Sequence, residues 1–247
     1  MRAIYGTRIN ALTSGSITAS TEESNFEATR IQDNRLNVKW RTTSGSAQSI
    51  VFDFGSALSS DSIMIAGHNF TSAGSIYVQA NSADSWASPG LSAGLTIREG
   101  VIIGFFTSTS ARYWRLALND TTDTYVEIGK ILLQEYYEFS PTSIYEFPFR
   151  RPRTDSVSYS QGRQMYSDVG IEYIEVDYNF PESTDAVKGE IETLWTTVGK
   201  HTPFAFMNFN TTYTVIPPIY CSITNDVVFQ KKMTDRWIFD LSLRECK

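Results

Sequence analysis

The sequence predicts a mostly β protein in two parts: an N-terminal β-sandwich or jelly roll over residues 1–138, and a second strand-rich domain over 139–247 with one flanking α-helix. Three observations carry this. Short apolar runs alternate with period two through the first part, and Ser and Thr, 34 of the first 140 residues, punctuate them. Only one stretch, at about 183–198, has helical periodicity. Many short strands with a single helix mean a sandwich or jelly roll. With 13% aromatic and 19% charged residues in 247, the chain is globular, neither disordered nor a coiled coil.

In chain order, Ile50, Phe52 and Phe54 alternate with Val51 and Asp53, and Ile63 and Ile65 with Met64 and Ala66, which predicts two strands separated by a Gly/Ser-rich break. Ser75–Ala80 follows the loop Thr71–Gly74, and Tyr113–Leu118 and Tyr125–Leu132 supply two more strands. The seam is expected at Tyr136–Pro141, because a residue before proline leaves helical geometry. Beyond it come Ile144–Phe149 as a strand, a polar arm from Arg150 to Asp168, and a strand from Ile171 to Phe180 with Ile174, Val176, Tyr178 and Phe180 on one face. Ser183 is placed to cap a helix with Asp185 in its first turn; Val187, Ile191, Leu194, Trp195 and Val198 form its apolar face, and Gly199 stops it. Pro203–Phe209, Tyr213–Ile216, Ile219–Thr224, Val227–Gln230 and Trp237–Leu243 complete the second domain as strands.

Charge and motifs exclude several functions. The net charge is −6, and both halves are slightly acidic, so neither offers the basic face that nucleic-acid binding requires. The longest apolar runs, such as Val101–Phe106, fall far short of the roughly 20 residues of a membrane span. Met1–Thr7 lacks the apolar core of a secretory signal, so synthesis in a reducing cytoplasm is expected, with Cys221 and Cys246 as reduced thiols. No metal or cofactor is expected, since His68 and His201 sit in no ligand spacing and no phosphate-binding glycine loop occurs. Glu172, Glu175 and Asp177 suggest a glycosidase pair, but Glu175 and Asp177 alternate with apolar residues and so face outward. The chain is therefore expected not to be an enzyme.

Two groups remain as candidate sites. Trp40, Arg41, His68, Asn69 and Trp86 are the set from which a carbohydrate site would be built, because an aromatic plate stacks on a sugar's apolar face while polar groups hold its hydroxyls. Arg150, Arg151 and Arg153, with Tyr159 and Tyr166 on the polar arm, are the set expected at an assembly interface, since a long polar segment gains order from a partner.

The runs Asn37–Trp40, Ser49–Gly55 and Asp61–Phe70, with Arg112–Leu116 and Glu127–Ile131, resemble the galactose-binding-like, discoidin-type jelly-roll domains of bacteriophage tail proteins. The resemblance spans about 25–138. The second part, by its pattern of strands, one helix and a long arm, resembles the tail-tube or distal-tail module, a tail-tube-like β-sandwich. The resemblance implies a virion structural protein of a phage tail tip or baseplate, made in the host bacterial cytoplasm. It would form a homo-oligomeric ring, a hexamer or trimer, among other tail and baseplate proteins. The alternative is an adhesin whose jelly roll recognises a host surface glycan.

Overall fold

The computed structural model describes residues 1–6, 8–139, 148–161, 163–208 and 217–247. Expected features at Pro141, Ile144–Phe147 and Tyr213–Ile216 lie outside them. Among the described residues the chain is mostly β with one α-helix, in several antiparallel sheets. It divides into two compact units. Unit 1 is Met1–Phe139 with Thr202–Tyr220 and Lys247; unit 2 is Ser140–His201 with Cys221–Cys246. The division is thus discontinuous, where two contiguous domains were expected.

In unit 1 the strands are β1 (Arg2–Ile4), β2 (Ile17–Ala19), β3 (Trp40–Arg41), β4 (Gln48–Ala66), β5 (Ser75–Asn81), β6 (Leu91–Leu95), β7 (Val101–Asn119), β8 (Glu127–Ile128), β9 (Lys130–Gln134) and β10 (Tyr137–Glu138). The main sheet runs β2-β4-β7-β5-β6, with β9 also on β4, and β3 pairs with β8. The two strands expected at Ile50–Phe54 and Ile63–Ala66 are one strand of 19 residues, β4, which pairs along its length with β7. Register shifts between Asp53 and Leu58 and between Ser60 and Ser62 carry the strand through the Gly/Ser break, with Gly55 at φ +73°. Gly and Ser therefore mark bulges here and not a turn. Beyond the second shift, Ile63–Ala66 lie between β7 and β9 and are buried on both faces, which explains why that run is continuously apolar.

The core gathers the inward residues: Ile50 and Phe52 of β4, Ile76 and Val78 of β5, Trp114, Leu116 and Leu118 of β7, and Ile131 and Leu133 of β9, all at most 2% exposed. Burying each such side chain contributes about 1.5–3 kcal/mol. Lys130 is buried among them, its ammonium donating to Asn10 Oδ1 at 2.7 Å and to the carbonyls of Gln32 and Asp33 at 3.2 and 3.1 Å.

In unit 2, continuing the numbering, β11 (Phe149–Arg150), β12 (Ser156–Tyr159), β13 (Met165–Asp168), β14 (Glu175–Ser183), helix α1 (Asp185–Val198), β17 (Gln230–Met233) and β18 (Arg236–Glu245) lie in order; β15 (Phe204–Met207) and β16 (Ile219–Ile223) fall between α1 and β17. β14 pairs with β11 and β18, Cys221–Ile223 pair with β18, and β17 lies on β18. Ile174, Val176, Tyr178 and Phe180 are buried, as the alternation predicts, and so are Val187, Ile191, Leu194 and Val198 of α1. The cap is Thr184, whose side chain accepts the Val187 N–H; Ser183, expected in that role, is the buried last residue of β14. Gly199 ends the helix at φ +52°. The segment at Pro203–Phe209, expected in the second domain, supplies β15, which pairs with β1 in unit 1. Cys221 and Cys246 are free, and burial pushes both thiols above their usual range.

Candidate functional site

Gly67, at φ +67°, turns the chain out of β4 where the backbones of Leu36 and Gly129 crowd it, and delivers His68 to the loop beyond. The His68 Nδ1 accepts the Phe70 N–H at 3.2 Å, and the two rings lie 5.5 Å apart. Burial pushes the imidazole below its usual range, partly opposed by the Arg98 backbone, so it is neutral at pH 7. Asn69 donates to Asp123 Oδ2 at 3.1 Å and the Tyr125 carbonyl at 3.0 Å, and its Oδ1 accepts the Glu127 N–H at 2.7 Å. Thr71 is held by Asp120, whose burial is outweighed by hydrogen bonds from Thr122 and Thr71 that keep its carboxyl below the usual range.

Opposite this loop stands the β6–β7 turn, Ile97 to Gly100, with Gly100 at φ +82°. Together they line an open cavity of about 310 Å³ bounded by His68, Asn69, Phe70, Ser72, Ile97, Arg98 and Glu99. Phe70 and Ile97 give it an apolar surface; His68, Ser72, Arg98 and Glu99 give it polar groups. Such mixed lining on a rigid strand framework suits a small polyhydroxylated ligand.

Of the five residues expected at a carbohydrate site, the structure brings together His68 and Asn69. Trp40 is a correction: it is 0% exposed, packed in the core with its indole donating to the Thr21 carbonyl at 3.2 Å, so it presents no plate. Its run Asn37–Trp40 contains no alternation that would have revealed this. Arg41 is occupied within the fold. Its guanidinium bonds Glu127 at 2.5 and 2.7 Å and Glu23 at 3.2 Å, and lies over the Phe26 and Tyr125 rings at 4.0 and 4.5 Å. Trp86 lies elsewhere: its ring covers the Arg115 guanidinium at 4.6 Å, and it is not among the residues lining the His68 cavity. Phe70, Ile97, Arg98 and Glu99 went unrecognised because the 97–100 turn resembles any polar connection; its only signal is Arg-Glu-Gly between two apolar runs.

In unit 2, Arg150 pairs with Asp177 at 3.1 Å and Glu175 at 3.6 Å, Arg151 with Glu172 at 3.2 Å, and Arg153 with Asp155 at 2.9 Å. Arg150 and Arg151, expected at an assembly interface, thus answer the acidic cluster of the same unit, which also takes Arg244 on Glu175, while Arg153 pairs with its near neighbour Asp155. Tyr159 and Tyr166 lie on the β12–β13 hairpin, 69% and 57% exposed. Among the described residues no three His, Cys, Asp or Glu side chains converge as metal ligands, and no helix is long and apolar enough to cross a membrane.

No protein-family model and no curated protein matches the chain. Among solved structures it is similar to a chitosan-binding module 1 derived from a chitosanase/glucanase of Paenibacillus sp. IK-5, at 21% identity and TM-score 0.39, over 47% of this chain and 92% of that one. It is also similar to the family 32 carbohydrate-binding module of C. perfringens NanJ in complex with galactose, at 16% identity and TM-score 0.41, over 56% and 100%. A third is the lectin domain of lectinolysin complexed with Lewis B antigen, at 12% identity and TM-score 0.43, over 53% and 98%.

Proposed function

We propose that unit 1 is a carbohydrate-binding module that takes a terminal sugar of a surface glycan in the His68 cavity. The observation that carries this reading is the cavity itself: about 310 Å³, formed by two loops attached to β4, β6 and β7, and lined by the apolar Phe70 and Ile97 together with polar side chains. Asn69 and Asp120 use their hydrogen bonds to position the loop, and Ser72, Arg98 and Glu99 are the polar side chains at the cavity that would meet a ligand's hydroxyls, beside the His68 ring. A millimolar Kd, about −4 kcal/mol, suffices when many copies act together. Titrating galactose, N-acetylgalactosamine and N-acetylglucosamine while following amide shifts tests it. The expected result is saturable shifts at residues 68–72 and 97–100 with at least one sugar, abolished in His68→Ala. A panel that moves none of these amides, or a His68→Ala chain that binds unchanged, overturns the reading.

A second reading has its own observation. The β12–β13 hairpin and its base expose Val157, Tyr159, Met165, Tyr166, Val169 and Ile171, and a lone two-stranded hairpin is marginal in water. This favours an assembling subunit, and with the sequence resemblance a ring-forming component of a phage tail tip or baseplate in the virion, contacting neighbouring tail proteins. Light scattering on the full chain and on a Tyr159→Ser, Tyr166→Ser variant tests it. A closed trimer or hexamer lost in the variant supports the reading, and a monomer at all concentrations removes ring formation by this chain alone.

A further inference from the structure

We infer that the outer face of the β4-β7-β5 sheet is a second saccharide site, separate from the His68 cavity, and that it selects an acidic sugar chain. The inference rests on the reading of unit 1 as a carbohydrate-binding module but uses none of the residues of that cavity.

The register builds the face. Tyr77 of β5 stands opposite Ala117 of β7, which stands opposite Ser49 of β4; one pair along, Gln79 stands opposite Arg115 and Arg115 opposite Val51. These side chains alternate with buried Ile76, Val78, Leu116 and Ile50, so they point away from the core. Small residues at 117 and 49 leave a trough between the larger ones. The result is a groove of about 370 Å³ whose lining includes Ser49, Ser75, Tyr77, Arg115, Ala117 and Asn119.

Two features make it a binding surface as well as a depression. The Tyr77 side chain is placed over β6 at Gly94, where a Cβ would sit 3.4 Å from its ring; with no side chain beneath it, the ring lies against the neighbouring backbone and remains 46% exposed. That is a pre-set aromatic plate for the apolar face of a sugar. Arg115 is equally fixed. Its Nε and Nη2 both donate to Gln79 Oε1, at 2.8 and 2.6 Å, the Gln79 amide donates to Ser92 at 3.3 Å, and the Trp86 ring covers the guanidinium at 4.6 Å. Trp86 is itself held by Asp84, its indole donating at 2.7 Å. The Arg115 Nη1 takes no part in these bonds.

Charge selects the ligand. Among the described residues lining the groove, Arg115 alone is charged, on a chain whose net charge is −6. A planar guanidinium with its orientation fixed pairs with a carboxylate. Hydroxyl and amide groups from Ser49, Ser75 and Asn119 suit the sugar hydroxyls around it. A hexuronate chain offers all three: an apolar ring face, hydroxyls and a ring carboxylate.

The experiment titrates a tetragalacturonate into the full chain, following Trp86 fluorescence and binding heat, beside a neutral galactose tetrasaccharide and an oligoglutamate peptide. The expected result is saturable binding of the tetragalacturonate, weakened about ten-fold or more by Arg115→Gln and by Tyr77→Ala, reduced by added salt, and unchanged by His68→Ala. Tyr77 is exposed, so Tyr77→Ala tests the site without disturbing the Gln79 network. The proposal is overturned by no binding of the tetragalacturonate, by binding unaffected by Tyr77→Ala, by equal affinity for the neutral tetrasaccharide, or by equal affinity for the peptide. Loss of tetragalacturonate binding in His68→Ala overturns it as well and returns the ligand to the loop cavity, whereas a silent monosaccharide panel with intact tetragalacturonate binding overturns only the cavity.

Discussion

Replacing Lys130 by methionine should destabilise unit 1 by about 3 kcal/mol at pH 7, and the figure follows from two opposed effects. Lys130 is fully buried in β9, and burial lowers its pKa to about 8. Relative to 10.5, that makes the ammonium a cost of about 3 kcal/mol at neutral pH, which the substitution relieves. Against this, methionine leaves Asn10 Oδ1 and the carbonyls of Gln32 and Asp33 without their donor, at about 1–3 kcal/mol each. Three orphaned acceptors at about 2 kcal/mol outweigh the relief by about 3. Methionine nearly preserves the volume, so no cavity enters the comparison. Urea unfolding followed by tryptophan fluorescence measures it, since Trp40 and Trp114 are both in this core. The pH dependence supplies an independent signature. Between about 8 and 10.5 the unfolded lysine holds its proton while the folded one has lost it, so wild-type stability rises with pH through that window. The variant lacks this rise. A Lys130→Met chain as stable as wild type at pH 7, or one that keeps the alkaline rise, would refute the reasoning.

Two further outcomes test the placement of single residues. Trp40→Ala should cost unit 1 about 3–5 kcal/mol in urea unfolding, as expected for an aromatic side chain removed from a packed core; a change below about 1 kcal/mol would mean that the indole is not buried. Gly129→Ala should destabilise by about 1–3 kcal/mol, because a Cβ there would sit 2.5 Å from the Leu36 carbonyl oxygen, which is backbone and cannot rotate away. The His68 loop leaves β4 beside this contact, so amide shifts at 68–72 should move in the same variant, and silent amides would disconnect the two.

Elements whose apolar spacing matched a single buried face were legible in the sequence. Ile174–Phe180 and Val187–Val198 were read in place, because period two and period 3.6 each imply one covered side. What misled was chemistry that has two structural uses. Glycine and serine at 55–60 serve a turn or a bulge equally well, and only pairing with β7 decides for the bulge. An arginine among prolines serves an interface or an internal ion pair, and only β14, brought alongside β11, supplies Glu175 and Asp177. A tryptophan beside an arginine serves a sugar plate or a core, and at Trp40 the pairing of β3 with β8 chose the core.

Local patterns in the chain were enough for the mostly β class, the helix at 185–198 with its glycine stop, and His68 and Asn69 as residues delivered by a strand end. These depend on neighbours within a few positions, whose steric and solvation preferences act locally. The remaining features come from long-range pairing. It assigned residues 202–220 to the first unit, set the 97–100 turn opposite His68, and aligned Tyr77 and Arg115 on one face of a sheet. Each of these needs strands far apart in sequence to be paired in a particular register, and register is set by the combined burial of every inward side chain, a quantity that no local pattern contains.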